Sequence, residues 1–333
     1  MSIAKKLSKS EIESIYSAAN SAVWHSHFYA ESTASKAVRE EDYVATLVTD
    51  GVPLLADRWI DVLASKGIAL RISGVFCHGH PQVRFGPLRS QVELADLLIV
   101  HQHSEKGRNT ARAMLIQAKM SADATHRLHS TDAQLALFSG WPPFEFVTGG
   151  LTPGIRDIKE IGKGSRYALV LQDHKYPEQI TWADQCPWAA SPAKQELAAE
   201  HSLAKLLGNM LLAKDGRPVQ FTAPQDDWSR TIKELLEITG KRTFRRANIN
   251  RGHTPRLSET TSFKAGTLFF SQSPAFPGNM SRRSKPSPSE AFFGEAVVLQ
   301  FDGHRNDPPM EDRRKAPEGG LSALIIETRA GDQ

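Results

Sequence analysis

The chain has 333 residues, 40% of them hydrophobic, with 41 Lys plus Arg against 37 Asp plus Glu and a pI near 9.0. That length fills one large core or two ordinary ones, and the mild positive charge permits a polyanionic partner without demanding one. Its two cysteines, Cys77 and Cys186, exclude a disulfide framework and a cysteine-rich zinc site. No apolar run approaches the roughly 18 residues of a membrane span, and the start MSIAKKLSKSEIESIY carries lysines but no apolar h-region, so a cytoplasmic protein is expected.

In chain order, Ser8-Lys-Ser-Glu11 reads as a capping box opening a helix over 8–29, with Ile12, Ile15, Tyr16 and Ala19 at helical spacing. Residues 41–48 and 53–65 read as two helical pieces interrupted at Asp50-Gly51-Val52-Pro53. Residues 68–77 and 83–85 read as a broken strand, after which Gly86-Pro87-Leu88-Arg89-Ser90 turns the chain. Two short runs rich in Leu, Ile and Val follow, 94–100 and 113–120, separated by HQHSEKGRNTAR; both read as buried strands.

Those two runs carry polar residues that a core strand has no use for: Asp96 in the first, Gln117 and Lys119 in the second. A carboxylate in such a place is costly unless it is paired or bound to a metal. A turn centred on Lys106-Gly107 sets the register, because opposite residues of an antiparallel pair sum to a constant; Asp96 then faces Gln117. Gln117 and Lys119 share a face, so the three side chains converge on one patch. An acidic ligand, a second oxygen ligand and a lysine are what Mg²⁺-assisted phosphodiester hydrolysis requires.

Asp96 with Gln117-Ala118-Lys119 resembles the PD-(D/E)XK nuclease superfamily, in the QXK variant of Mrr-like enzymes. The resemblance covers roughly residues 36–150 and implies a mixed α/β (α+β) fold, a restriction-endonuclease-like αβββαβ core with a mixed sheet. It implies Mg²⁺ or Mn²⁺ held by Asp96, Gln117 and the main-chain carbonyl of Ala118, with Lys119 orienting the attacking water. Thr131-Asp132 opens a further helix, in which Gln134 and Phe138 are similar to the QxxxY motif of the exonuclease branch, with Phe in place of Tyr. In the family the first helix often carries an acid near the metal; Glu40 and Glu41 are the candidates, against the plainer reading of solvated acids at a helix start. Glu93 falls on the opposite face of a regular strand and would reach the metal only through a bulge or from the turn.

The histidines form a separate question. Cys77-His78-Gly79-His80 and His101-Gln102-His103 would face one another if their strands pair through the turn at 87–91, giving mixed Cys/His ligands for zinc. The alternative is a polar strand end whose imidazoles bond locally; no CxxC or HxxxH spacing supports zinc.

Residues 144–147 read as the fourth core strand, and Gly149-Gly150 with Pro153-Gly154 mark a break. The expected organisation is an N-terminal helical segment (1–35), a nuclease-like core (36–150) and an α+β C-terminal region (151–333). In that last region 167–171 reads as a strand, 195–212 as an amphipathic helix, and Asp226-Asp227 as the cap of another. Lys241, Arg242, Arg245 and Arg246, interleaved with Phe244, suit phosphate contacts or an ordinary solvated face. Residues 271–290 read as a flexible Ser/Pro-rich loop, and 296–301 and 321–327 as strands that pair across a polar insert.

The leading expectation is therefore a metal-dependent nuclease acting on nucleic acid, DNA favoured, in a bacterial restriction or anti-phage setting that the resemblance implies. The competing one is an inactive nuclease scaffold that binds nucleic acid or a protein partner, and a homo-oligomer is compatible with either. A third, a zinc-dependent hydrolase, would rest on the histidines.

Overall fold

The structure, a computed structural model, describes residues 2–34, 37–76, 81–86, 90–159, 163–172, 185–241, 243–244, 263–264, 267–272, 299–300 and 320–331. Helix α1 (Lys9–Thr33) starts with the capping box read from the sequence: Ser8 Oγ accepts the Glu11 N–H at 3.2 Å, and the Glu11 carboxylate accepts the Ser8 N–H at 2.8 Å. Helices α2 (Glu40–Thr46) and α3 (Val52–Ala64) are joined by a π-helical turn, Leu47–Gly51, rather than by a break. Pro53, in the first turn of α3, has no N–H to give back to a carbonyl one turn earlier, and the widened turn absorbs that loss.

Ten strands among the described residues form one mixed sheet. Its path runs β12 (His201–Ser202), β10 (Trp188–Ser191), β9 (Ser165–Leu171), β5 (Arg108–Ser121), β4 (Leu97–Glu105), β18 (Ser322–Ala330), β1 (Ile68–Phe76), β16 (Thr267–Gln272) and β17 (Leu299–Gln300), with β13 (Arg217–Val219) on β5. The fold is thus mixed α+β with a mixed sheet.

Alternation along the strands sorts the core onto two faces. Leu70 and Ile72 of β1, Leu97 and Ile99 of β4, Ile116 of β5 and Ile326 of β18 pack with α1, α3 and α5 (Leu203–Leu211). Leu98, Val100, Leu115, Tyr167 and Ile325 pack on the other face with α4 (Ala133–Gly140) and α6 (Asp227–Lys241). A small sheet, β3 (Ser90–Glu93), β2 (Gln82–Phe85), β7 (Phe144–Phe146) and β8 (Ile155–Arg156), adds Val83 and Phe144 to that second core. Two short ladders complete the described pairing: β6 (Thr125–Arg127) with β11 (Glu196–Ala198), and β14 (Thr243–Phe244) with β15 (Phe263–Lys264). No described helix is long and apolar enough to cross a membrane.

The hairpin register follows the expectation. Glu105 pairs with Arg108 around Lys106-Gly107, and the ladder runs to Leu97 opposite Ile116, one step from Asp96 and Gln117. Several other expectations are corrected. Residues 68–147 do not form one sheet, because β2, β3 and β7 leave the main sheet for the small one. The strand parallel to β5 is β9, not residues 144–146, whose Phe144 and Phe146 stack edge to face in the small sheet. The stretch read as a helix over 195–212 begins as β11 and β12, and only Leu203–Leu211 is helical, capped by Ser202 Oγ. The C-terminal strand β18 does not pair with β17; it inserts between β1 and β4, antiparallel to the first and parallel to the second. The glycine-rich break at 149–150 leaves the main sheet undivided, since β9 and β10 beyond it continue the ladder from β5.

The π turn lies directly on β1. A Cβ built on Gly74 would meet the Val48 carbonyl oxygen at 2.2 Å, a backbone atom with nowhere to rotate. We expect Gly74→Ala to lower stability by about 1–3 kcal/mol or more through overpacking, read as a lower urea midpoint with an unchanged slope.

Candidate active site

The site forms where β4 ends and β5 continues. The chain crosses from the small sheet to the main one between Glu93 and Leu97, and Asp96 lies in that bend, immediately before β4. Its N–H still bonds the Ile116 carbonyl at 2.9 Å, which holds it opposite Gln117. Its Oδ2 accepts the Gln117 Nε2–H at 2.5 Å and the Ala118 N–H at 2.7 Å.

Two strand steps on, the Met120 N–H bonds the Glu40 carboxylate at 3.3 Å, so an acid from the first residue of α2 reaches the same edge of β5. Backbone N–H and C=O groups of one residue point the same way along a strand. The Ala118 carbonyl therefore faces the gap between the Asp96 and Glu40 carboxylates, where β4 no longer covers β5.

The electrostatics are unbalanced toward negative charge. Asp96 keeps some residue-level exposure, but its carboxyl is enclosed, and desolvation raises its pKa to about 7, opposed by the Ala118 N–H. Glu93 and Glu40 push it further up and Lys119 pulls it down, so all three charges lie within Coulombic reach. Gln117 is 4% exposed, and its buried Oε1 has no hydrogen-bond partner among the described residues. The Asp96 and Glu40 carboxylates, the Ala118 carbonyl and Gln117 Oε1 are oxygen ligands of the type that Mg²⁺ or Mn²⁺ takes, though the Gln117 amide meets Asp96 through Nε2 and would have to turn over to lend its oxygen. By side chain alone the group is thinner: among the described residues no three of His, Cys, Asp and Glu are grouped to hold a metal.

Asp96, Gln117 and Lys119 are thus brought together as the sequence expects. Glu93 joins them because the chain bends at 94–96 instead of running on as a regular strand. Glu41 does not join them, since it is ion-paired with Arg39, and Glu40 takes the position instead. Gln134 lies in the first turn of α4, whose cap Asp132 accepts the Leu135 N–H at 2.8 Å. Phe138 is core, 5.5 Å from the Tyr167 ring and 5.6 Å from that of Trp141. Trp141 is likewise buried, its indole N–H on Ser165 Oγ at 3.2 Å.

His101 and His103 belong elsewhere. Both bond Thr328 Oγ1, at 3.0 and 2.9 Å, and burial lowers their pKa values to about 3 and about 4, so both are neutral at neutral pH. They are level with Ile72 and Leu70 across β18, whereas the end of β1 at Phe76 reaches the Asp96 end of the sheet. β1 and β4 are not neighbours, since β18 lies between them. Cys77, His78 and His80 lie outside the described residues, as do Arg242, Arg245, Arg246 and the side chain of Lys241.

Sequence reasoning missed Tyr167, which pairs with Gln117 across the parallel β5–β9 ladder. Its strand was legible; its partner was not. Compared with known proteins, the chain matches no family model, no curated protein and no solved structure.

Proposed function

We propose that this chain is a cation-dependent nuclease of the PD-(D/E)XK kind, cleaving phosphodiester bonds of nucleic acid, DNA favoured. The observation that carries the reading is the unpartnered Gln117 Oε1 beside the raised Asp96 carboxyl, with Lys119 two positions along the same strand face. The order of elements supports it: Asp96 heads β4, antiparallel β5 carries Gln117 and Lys119, α4 crosses, and β9 returns parallel to β5. The insertion of β18 beside β4 is a departure from the simple αβββαβ order.

A bound Mg²⁺ or Mn²⁺ would supply Lewis acidity and a more acidic water. Asp96, Glu40, the Ala118 carbonyl and, with its amide turned over, Gln117 Oε1 would hold it, and Glu93 would add negative potential. Lys119 places a fixed positive charge where negative charge grows on the phosphate and orients the incoming water. The purified protein should cut supercoiled plasmid or single-stranded DNA with Mg²⁺ or Mn²⁺ and not with chelator; intact substrate under all conditions would sink the reading.

Cation binding should depend on pH with a defined sign. The Asp96 carboxyl rises from the ordinary 3.8 to about 7 and must lose its proton to serve as a ligand. Apparent Mn²⁺ affinity should therefore fall roughly tenfold per pH unit below about 7 and level off above it. Without cation the same shift works on folding: the contribution is full below about 4 and is lost as pH rises through about 7. Calorimetric Mn²⁺ titrations from acid to mildly basic pH check the first slope.

One observation favours the competing reading of an inactive scaffold that binds nucleic acid or a protein partner: Asp96 Oδ2 accepts two hydrogen bonds from the protein itself. Such a scaffold should bind neither Mn²⁺ nor Mg²⁺ at Asp96.

A further inference from the structure

The edge of β5 that β4 leaves bare carries one more acid–base group. The Met120 N–H bonds the Glu40 carboxylate, and the carbonyl of the same residue accepts the His126 Nδ1–H at 3.0 Å. The N–H and C=O of one strand residue point the same way, so Glu40 and His126 are neighbours on the edge that receives Asp96 at Ala118. His126 belongs to β6, which a tight turn folds back over the end of β5. In that turn Ala124 is left-handed at φ 70°, Asp123 Oδ1 accepts the Thr125 N–H at 3.1 Å, and Ser121 Oγ donates to the Thr125 carbonyl at 2.5 Å. The ladder with β11 then sets His126 opposite Leu197. Leu197 packs in the same core as Leu169 and Tyr167, the ladder partners of Lys119 and Gln117, and paired side chains share a face. His126 therefore stands on the Lys119 side of the sheet.

A carbonyl oxygen can only accept, so Nδ1 carries the proton and the neutral ring keeps its lone pair on Nε2. The ring is half-buried, and Nε2 meets no hydrogen-bond partner among the described residues. An imidazole whose tautomer is fixed by a main-chain carbonyl is how oriented proton acceptors are built. Hydrolysis of a phosphodiester needs such an acceptor for the proton of the attacking water. Lys119, as an ammonium, has no lone pair to give. The Asp96 and Glu40 carboxylates are the oxygens that the cation reading assigns to the metal.

We propose that His126 is a further catalytic residue of that hydrolysis, with Nε2 as the acceptor of the water proton. As the water oxygen bonds to phosphorus, its proton passes to Nε2, and the bond from phosphorus to the leaving sugar oxygen breaks. The leaving oxygen takes a proton from solvent, and the imidazolium later returns its own, so one water is consumed overall. The imidazolium forms beside the Glu40 carboxylate, which favours its charge. This inference rests on the nuclease reading above.

The test compares wild type with His126→Asn and His126→Ala in single-turnover plasmid cleavage and in a Mn²⁺ titration. Asparagine keeps an N–H donor near the place of Nδ1 for the Met120 carbonyl but has no second nitrogen to take a proton. Both variants should bind Mn²⁺ as wild type does and cleave about 10²-fold or more slowly, the usual worth of a positioned base. Added imidazole should restore much of the lost rate in His126→Ala, where the ring-sized space is vacant. Wild-type cleavage by His126→Asn would reduce the ring to its bond with Met120 and overturn the inference. So would Mn²⁺ affinity that falls in step with the rate, or a His126→Ala that imidazole does not revive. If neither variant folds, wild type in D₂O decides: its single-turnover rate should fall, and an equal rate in both solvents overturns the inference. Each of these failures leaves wild-type cleavage, and with it the nuclease reading, in place. A wild type that cuts nothing with Mg²⁺ or Mn²⁺ sinks both together.

Discussion

Lys119→Ala is expected to leave the protein folded and able to bind Mn²⁺ while slowing cleavage by about 10²-fold or more, the usual cost of removing a preorganised charge from a transition state. Lys119 is half-buried in β5 between Ala118, 1% exposed, and Met120, whose N–H bonds Glu40. Its charge acts on Asp96. Asp96→Asn should show the complementary pattern, losing Mn²⁺ binding and cleavage together. Gln117→Glu should keep the cation and tighten it, since an anionic oxygen replaces a neutral one of nearly the same shape. The readouts are single-turnover cleavage of plasmid, a Mn²⁺ titration and the melting temperature of each variant. Cleavage that survives Lys119→Ala unchanged in a folded protein would move the active site elsewhere. A lowered melting temperature with no cation-dependent phenotype would instead assign Asp96 and Lys119 a structural role.

Glu327→Gln should lower stability by up to about 3–5 kcal/mol, the cost of breaking a buried ion pair from one side. Arg71 Nε donates to Glu327 Oε2 at 2.6 Å, and the two residues are 4% and 2% exposed. The pair ties β1 to β18, elements 256 residues apart in sequence. Replacing both partners, Arg71→Met with Glu327→Leu, should recover much of the loss, since both charges of this pair then leave the core together. Urea unfolding of the single and double variants measures both. A single variant within about 1 kcal/mol of wild type, the worth of an exposed pair, would show that water reaches this pair.

The parts of this protein written in the sequence are those that short-range geometry controls. The turn at Lys106-Gly107 fixes the register of β4 on β5, so the meeting of Asp96 and Gln117 follows from counting. The Ser8–Glu11 capping box and the Asp226 cap, whose Oδ1 accepts the Ser229 N–H at 2.9 Å, are likewise decided within one turn of chain. Apolar alternation told which faces of β5 and β9 are buried, and polar residues breaking that alternation marked the candidate site. Alternation, however, says nothing about which strand lies beside which, because every buried strand offers the same unpaired N–H and C=O groups. The insertion of β18 between β1 and β4, the choice of β9 over residues 144–146 as the neighbour of β5, and the juxtaposition of Tyr167 with Gln117 were therefore settled only by packing the whole sheet. So was the choice of Glu40 over Glu41: adjacent helix residues point about 100° apart, and only the docking of α2 against β5 decided which carboxylate met the Met120 N–H and which turned to Arg39.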